Sequence, residues 1–131
     1  PAHTDGDSYI YFKNSDVIHA GDVFRTTAFP YIDLENGGTL RGTIDGLGLL
    51  IGASGPNTKI VPGHGVVSTR EDVIAFRDMA IELSDQIGEM IGRGMSYDQI
   101  AEANPTRAYN DRYGDPERFL RAVYAELGGE E

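Results

Sequence analysis

The sequence predicts an α/β domain built in sandwich-like layers, and three observations carry that expectation. The runs Tyr9-Ile10-Tyr11-Phe12 and Asp16-Val17-Ile18-His19-Ala20 are rich in β-formers and are separated by Lys13-Asn14-Ser15, a turn-type tripeptide, which makes them an antiparallel hairpin. From Thr39 to Ala53, Leu40, Ile44, Leu47 and Ile51 recur at helical spacing. A further apolar run, Lys59-Ile60-Val61, stops at Pro62, so that strand, helix and strand follow one another as they do in α/β layers.

Each element has its own local justification. Thr39 is the N-cap of the first helix, and Gly55-Pro56-Asn57 ends it. Gly42, Gly46, Gly48 and Gly52 each cost that helix about 1 kcal/mol relative to alanine, so it needs a sheet to pack against. Ser68 or Thr69 caps the longest helix, with Glu71 and Asp72 in capping-box positions. Its stripe of Val73, Phe76, Ala80, Leu83, Ile87 and Met90, broadened by Ile74, Ile81 and Ile91, is wide enough to mark core packing; Gly92 and Gly94 close it. Ser96 and Gln99 form a second capping box that opens a short helix to Ala103, and Asn104-Pro105 stops it. Thr106 to Gly114 reads as a polar connector bearing aromatics. Asp115 as N-cap and Pro116 at the first position then open a last helix carrying Phe119, Leu120, Val123, Tyr124 and Leu127. Residues 96–131 are thus a helical extension of a domain whose main part spans 1–95.

Composition bounds the function. The 131 residues hold 21 Asp+Glu against 11 Lys+Arg, a net charge of −10, with no basic stripe, which argues against nucleic acid as a partner. The acidic tail residues Glu126, Glu130 and Glu131 read as simple solubility. No apolar run approaches the ~20 residues a membrane span requires. The absence of cysteine excludes disulfides and thiolate ligands, and leaves the compartment open between periplasm, secretion and cytoplasm.

The chemistry gathers around Pro62-Gly63-His64-Gly65. Glycine on both sides of the histidine supplies permissive backbone for a tight loop holding one imidazole at a strand end. His3 stands just before the first β-run, and Asp22 follows Val17-Ile18-His19-Ala20-Gly21. Two histidines and an aspartate on three strand edges make a donor set that zinc or iron could use.

In sequence and in order, His3-Thr4-Asp5-Gly6-Asp7-Ser8, His19-Ala20-Gly21-Asp22 and Pro62-Gly63-His64-Gly65 resemble the second half of the metallo-β-lactamase-fold hydrolases, over roughly residues 1–80. The resemblance implies half of an αββα fold and two zinc ions, or other divalent metals, in the intact enzyme. It also implies His3 as a ligand to one metal, His64 as a ligand to the other, and Asp22 as the bridge. The family's upstream HxHxDH segment has no counterpart here, because the only histidines are His3, His19 and His64. The expectation is therefore a C-terminal half, inactive or weakly active by itself. Its exposed sheet edge and face would be covered by the missing N-terminal half or by a second copy, each occupying the other's missing layer. Hydrolysis of a small-molecule ester, thioester, lactone or lactam is the generic activity implied; the alternative is a metal-free interaction module that keeps the fold's vestiges. β-Lactamases of this superfamily carry a lysine in the loop after the bridging residue. None occurs here between Lys13 and Lys59, so a substrate carboxylate would have to meet Arg25 or Arg41.

The remaining residues have modest roles. Asp5 and Asp7 flank Gly6 and organise a turn, with Asp7 the better placed to orient His3 as a residue behind the metal ligands. His19 shares the face of Val17, opposite Ile18, and is expected to be packed and hydrogen-bonded. The segment after Asp22 contains Phe24, Phe29, Tyr31 and Asn36. It has two open readings: the wall of a substrate pocket, or a loop whose aromatics only anchor it to the body.

Overall fold

The computed structural model describes residues 9–128, and for His64 the backbone alone. Three strands, β1 (Ile10–Phe12), β2 (Val17–Arg25) and β3 (Lys59–His64), form one mixed sheet in the order β1-β2-β3. β1 and β2 are antiparallel and joined by the expected turn; β2 and β3 are parallel, connected through the helix α1 (Leu40–Ala53). The long helix α2 (Arg70–Gly92) follows, then α3 (Tyr97–Ala103), the single turn α4 (Asn110–Tyr113) and α5 (Glu117–Glu126). The fold class is α/β, as the alternation of elements predicts.

Asp16 belongs to the turn rather than to β2. Its φ of 51° reverses the chain, and its carboxylate accepts from the hydroxyls of Thr58, at 2.7 Å, and Tyr11, at 3.2 Å. An aspartate tolerates this left-handed conformation better than most side chains, and here it also ties the hairpin to the residue that precedes β3.

Strand register decides which sheet face is covered. Tyr11, Ile18 and Ile60 lie in one row, and Ile18, Ala20 and Ile60 are fully buried under the helices. The opposite face carries the rows Ile10–His19–Val61 and Phe12–Val17–Lys59, with Ile10 57% and Phe12 52% exposed. One face is therefore a core and the other is bare among the described residues.

Pro62 does not end its strand. β3 runs on to His64, because it is an edge strand and Pro62 is paired with Gly21 where the ladder shifts register, a place where a missing N–H is tolerated. Ser68 exchanges two backbone hydrogen bonds with Ile60, of 2.9 and 2.8 Å, and covers the outer edge of β3 there.

The helices obey their sequence signals closely. Thr39 accepts from Gly42 N–H, and Thr69 with Asp72 and Ser96 with Gln99 both form reciprocal capping boxes. α2 closes with the paired bonds Gly94 N–H to Ile91 C=O and Met95 N–H to Met90 C=O, with Gly94 at φ 80°, the left-handed ending its sequence promised. In α1 the buried set is Leu40, Thr43, Leu47 and Leu50: Leu40 and Leu47 are buried as the stripe predicts, while Ile44 and Ile51 are only half-buried and their neighbours Thr43 and Leu50 lie deeper. On that side α2 meets α1 through Arg77 and Arg70, which donate from Nε to the carbonyls of Ile44 and Ile51, at 3.1 and 3.2 Å. Gly48 lets this happen: a Cβ there would stand 3.3 Å from Arg77 Nε.

The C-terminal helices share the same apolar cluster as the sheet rather than forming a separate one. Phe29 stacks on Phe119 and leans on Tyr113, with ring centroids 5.4 Å away in each case. At the start of α5 the cap position falls on Pro116 rather than Asp115, and the Asp115 carboxylate accepts from Glu117 N–H, the first helical residue, at 2.9 Å. Glu126 is not a merely solvated acid: its carboxylate accepts from the N–H groups of Leu40 and Arg41, at 2.5 and 3.1 Å, and closes the N-terminus of α1. Among the described residues, no helix is long and apolar enough to cross a membrane.

Candidate functional site

The parallel pairing of β2 and β3 brings two of the three expected metal-binding positions to one end of the sheet. β2 is longer than its apolar run suggested and continues past Asp22 to Arg25. Gly21, at φ 58°, kinks it, and the pairing with β3 shifts register on both sides of that residue. Bulges of this kind re-aim a side chain, and the strict alternation breaks accordingly. Ala20 is buried, Asp22 is exposed, and Val23 and Phe24 are both buried. Asp22 therefore leaves the strand from within it, at a bulge, instead of from its edge.

The glycines around His64 are explained by what stands against them. A Cβ at Gly63 would lie 2.7 Å from Asp22 Oδ1 and 2.7 Å from the Gly21 carbonyl oxygen. The carboxylate of Asp22 is thus seated on the backbone one residue before His64, and only glycine leaves room for it. Gly65 has φ 113°, and a Cβ there would fall 1.7 Å from Thr26 Oγ1. That hydroxyl accepts from Val66 N–H at 3.2 Å, which ties the loop after His64 to the end of β2. Thr26 had no distinguishing signal in the sequence; the glycine opposite announces a close neighbour without naming it.

Arg25 is the register partner of His64. Its Nε is buried and has no hydrogen-bond partner among the described residues. Arg25 stands at this strand end, while Arg41 sits in the first turn of α1, its backbone N–H donating to the Glu126 carboxylate. His3 and Asp7 lie outside the described residues, as does the imidazole of His64. Among the described residues no group of three His, Cys, Asp or Glu side chains gathers as a metal would require.

His19 corrects an expectation. It keeps the predicted alternation with Ile18, but the face it shares with Val17 is the bare one, so it is exposed instead of packed. Its Nδ1 accepts from Gly21 N–H at 3.3 Å, which supports the kink that precedes Asp22.

The aromatics after Asp22 divide. Phe24 is 1% exposed and meets Phe76 edge-on at 5.5 Å, and Phe29 is held between Phe119 and Tyr113, so both anchor the segment and neither lines an opening. Tyr31 is half-buried beneath the Arg118 guanidinium, 4.7 Å from the ring centre, and borders a depression of about 310 Å³ with Asp33, Arg118 and Arg121. Asn36 closes a 3-10 turn, donating from its side chain to Asp33 at 2.7 Å.

The polar, aromatic-bearing connector between α3 and α5 folds into a 3-10 turn and α4, and buries Tyr113. Within it the Tyr109 hydroxyl donates to Glu82 at 2.6 Å, and that bond to a carboxylate pushes the phenol up to about 12. No family model and no curated protein matches the chain.

Proposed function

We propose that this chain is the C-terminal half of a binuclear, zinc-dependent hydrolase of the metallo-β-lactamase type, acting on a small-molecule ester, thioester, lactone or lactam. One observation carries the reading: Asp22, at the bulge in β2, and the backbone leading to His64 meet in the carboxyl-terminal halves of two parallel strands, with Gly63 kept small so that the carboxylate can sit there. Open α/β sheets hold their ligands at that end of the strands. A second observation supports it. Helices cover one face of the sheet and leave Ile10 and Phe12 exposed on the other, an arrangement compatible with half of a two-sheet sandwich.

In this reading His3 and His64 would each hold one metal and Asp22 would serve both, with Asp7 orienting His3 and Arg25 meeting an anionic part of the substrate. The remaining ligands come from an HxHxDH segment in the N-terminal half, which also covers the bare face. When bound, zinc lowers the pKa of a coordinated water to about 7 and polarises the scissile carbonyl. With one or two ligands per metal the present chain holds zinc weakly and turns over little.

The experiment is metal analysis of this chain and of the protein encoded by the uninterrupted reading frame. The expected result is two metals in the longer protein, an HxHxDH segment in its sequence, and weak zinc binding by the short chain that Asp22→Asn and His64→Ala each abolish. Absence of metal from both, with no such segment upstream, would leave a metal-free interaction module.

A further inference from the structure

We propose that Thr106 and Asn110 enclose a structural water molecule, a binding site inside the connector between α3 and α5 that holds this stretch in its folded path. The inference does not rest on the metal reading.

Two buried oxygens carry it. Thr106 is 0% exposed, and neither its Oγ1 nor the Oδ1 of Asn110 has a hydrogen-bond partner among the described residues. A buried hydroxyl or amide oxygen left unanswered is costly, and the large majority of such groups in folded proteins meet a protein or water partner. The bonds that the connector does make run past these two atoms. The Asn104 carbonyl accepts from Arg107 N–H at 3.1 Å, and the Thr106 carbonyl accepts from Tyr109 N–H at 2.8 Å. Asn110 donates from Nδ2 to Asn104 Oδ1 at 3.1 Å, which occupies one end of its amide and leaves the other. Thr106 stands at the cap position of the 3-10 turn Arg107–Tyr109, where a threonine hydroxyl ordinarily accepts from the N–H groups of its own turn, yet it makes no such bond. That hydroxyl is left for another partner.

The backbone brings the two residues together. From Thr106 the 3-10 turn runs directly into α4 (Asn110–Tyr113), so the chain keeps a helical path across both residues. Side chains four positions apart on such a path lie on one side of it. The chemistry of the pair names the occupant. The Asn110 oxygen can only accept, while the Thr106 hydroxyl can accept or donate. Both atoms are neutral and sealed from bulk solvent. Two neutral oxygens are far fewer than a hard cation gathers around itself. A molecule small enough to be enclosed and able to donate to both is water, which needs only two to four polar partners when buried. Bound there, it ties the residue that enters the 3-10 turn to the first residue of α4, beside the Asn104 side chain at the end of α3.

Thr106→Val keeps the shape of the side chain and removes its hydroxyl, and the direction of the effect separates a wet site from a dry one. With water bound, the substitution strips it of a partner and strands the Asn110 oxygen, so Tm should fall by roughly 3–10 °C. In a dry site the same change removes an unanswered buried hydroxyl, and Tm should rise. Crystal structures supply the second measurement. The parent chain and Thr106→Ser, which retains the hydroxyl, should each show an ordered water within about 3.2 Å of both oxygens, and Thr106→Val should not. The parent structure decides the matter even if a variant fails to fold. No ordered water between Thr106 and Asn110 in the parent, or a Tm that holds or rises in Thr106→Val, would overturn the proposal.

Discussion

Replacing Gly63 by alanine adds one methyl group at the point where β2, β3 and Asp22 converge. The added carbon would stand 2.7 Å from the Gly21 carbonyl oxygen and 2.9 Å from its carbon, and both belong to backbone that cannot swing aside. Restoring an ordinary contact of ~3.4 Å requires the strands to part by about 0.7 Å at the bulge, enough to stretch a normal ladder bond of ~2.9 Å beyond useful length. One or two such bonds, each contributing about 0.5–1.5 kcal/mol, would be lost. That range, about 0.5–3 kcal/mol, overlaps the ~1–3 kcal/mol typical of an overpacked core. Gly63→Ala should therefore lower stability by about 1–3 kcal/mol, read as an earlier urea midpoint at unchanged slope, or a fall in Tm of roughly 3–10 °C for a domain of this size. The displacement falls on Asp22, so, if the proposed zinc site is real, zinc affinity should decline further than that of a surface variant of equal stability. A variant within about 0.5 kcal/mol of the parent would refute the claim that Gly63 is required by close approach.

The same chemical change should have the opposite sign at Gly52, where an added Cβ meets nothing within 4 Å: Gly52→Ala should stabilise by about 0.5–1 kcal/mol in the same urea assay. Glu126→Gln removes the charge that closes the start of α1, and Glu126→Ala removes the acceptor as well. The alanine variant should lose about 1–2 kcal/mol and the glutamine variant less, measured by thermal unfolding. Tyr109→Phe should lose about 0.5–1.5 kcal/mol near neutral pH through the bond to Glu82. Because the folded phenol is raised from 10.0 to about 12, that stabilisation is complete below pH ~10 and disappears as pH rises towards 12, so parent and variant should converge there.

What was legible in the sequence is what is settled within a few residues. Thr39, the Thr69–Asp72 pair and the Ser96–Gln99 pair act on N–H groups three positions away, and each behaves as its spacing says. The hairpin and the α2 stripe are equally local. What was missed depends on partners distant in the chain. Alternation says that His19 shares a face with Val17, but which face is core depends on where the helices land. β2 outruns its apolar run because Gly21 breaks the alternation that would have marked its length. Pro62 stays within β3 only because that strand is an edge. Of the candidate site, the convergence of Asp22 with the Gly63–His64 backbone could be anticipated from glycine placement. Thr26 and the burial of Phe24 and Phe29 could not, since an aromatic that lines an opening and one that anchors a loop are the same letter.

The carboxylate of Glu126 also bears on the order in which the molecule can be completed. It serves helix α1 across 86 residues of chain, so the start of that helix is made long before the group that finishes it. At about 5–20 residues per second, translation leaves roughly 4–17 s during which Leu40 and Arg41 have emerged and their cap has not. A stalled ribosome near the last helix would therefore display a nascent chain with a frayed α1, and protease sensitivity around residue 40 should vanish only once position 126 clears the exit tunnel.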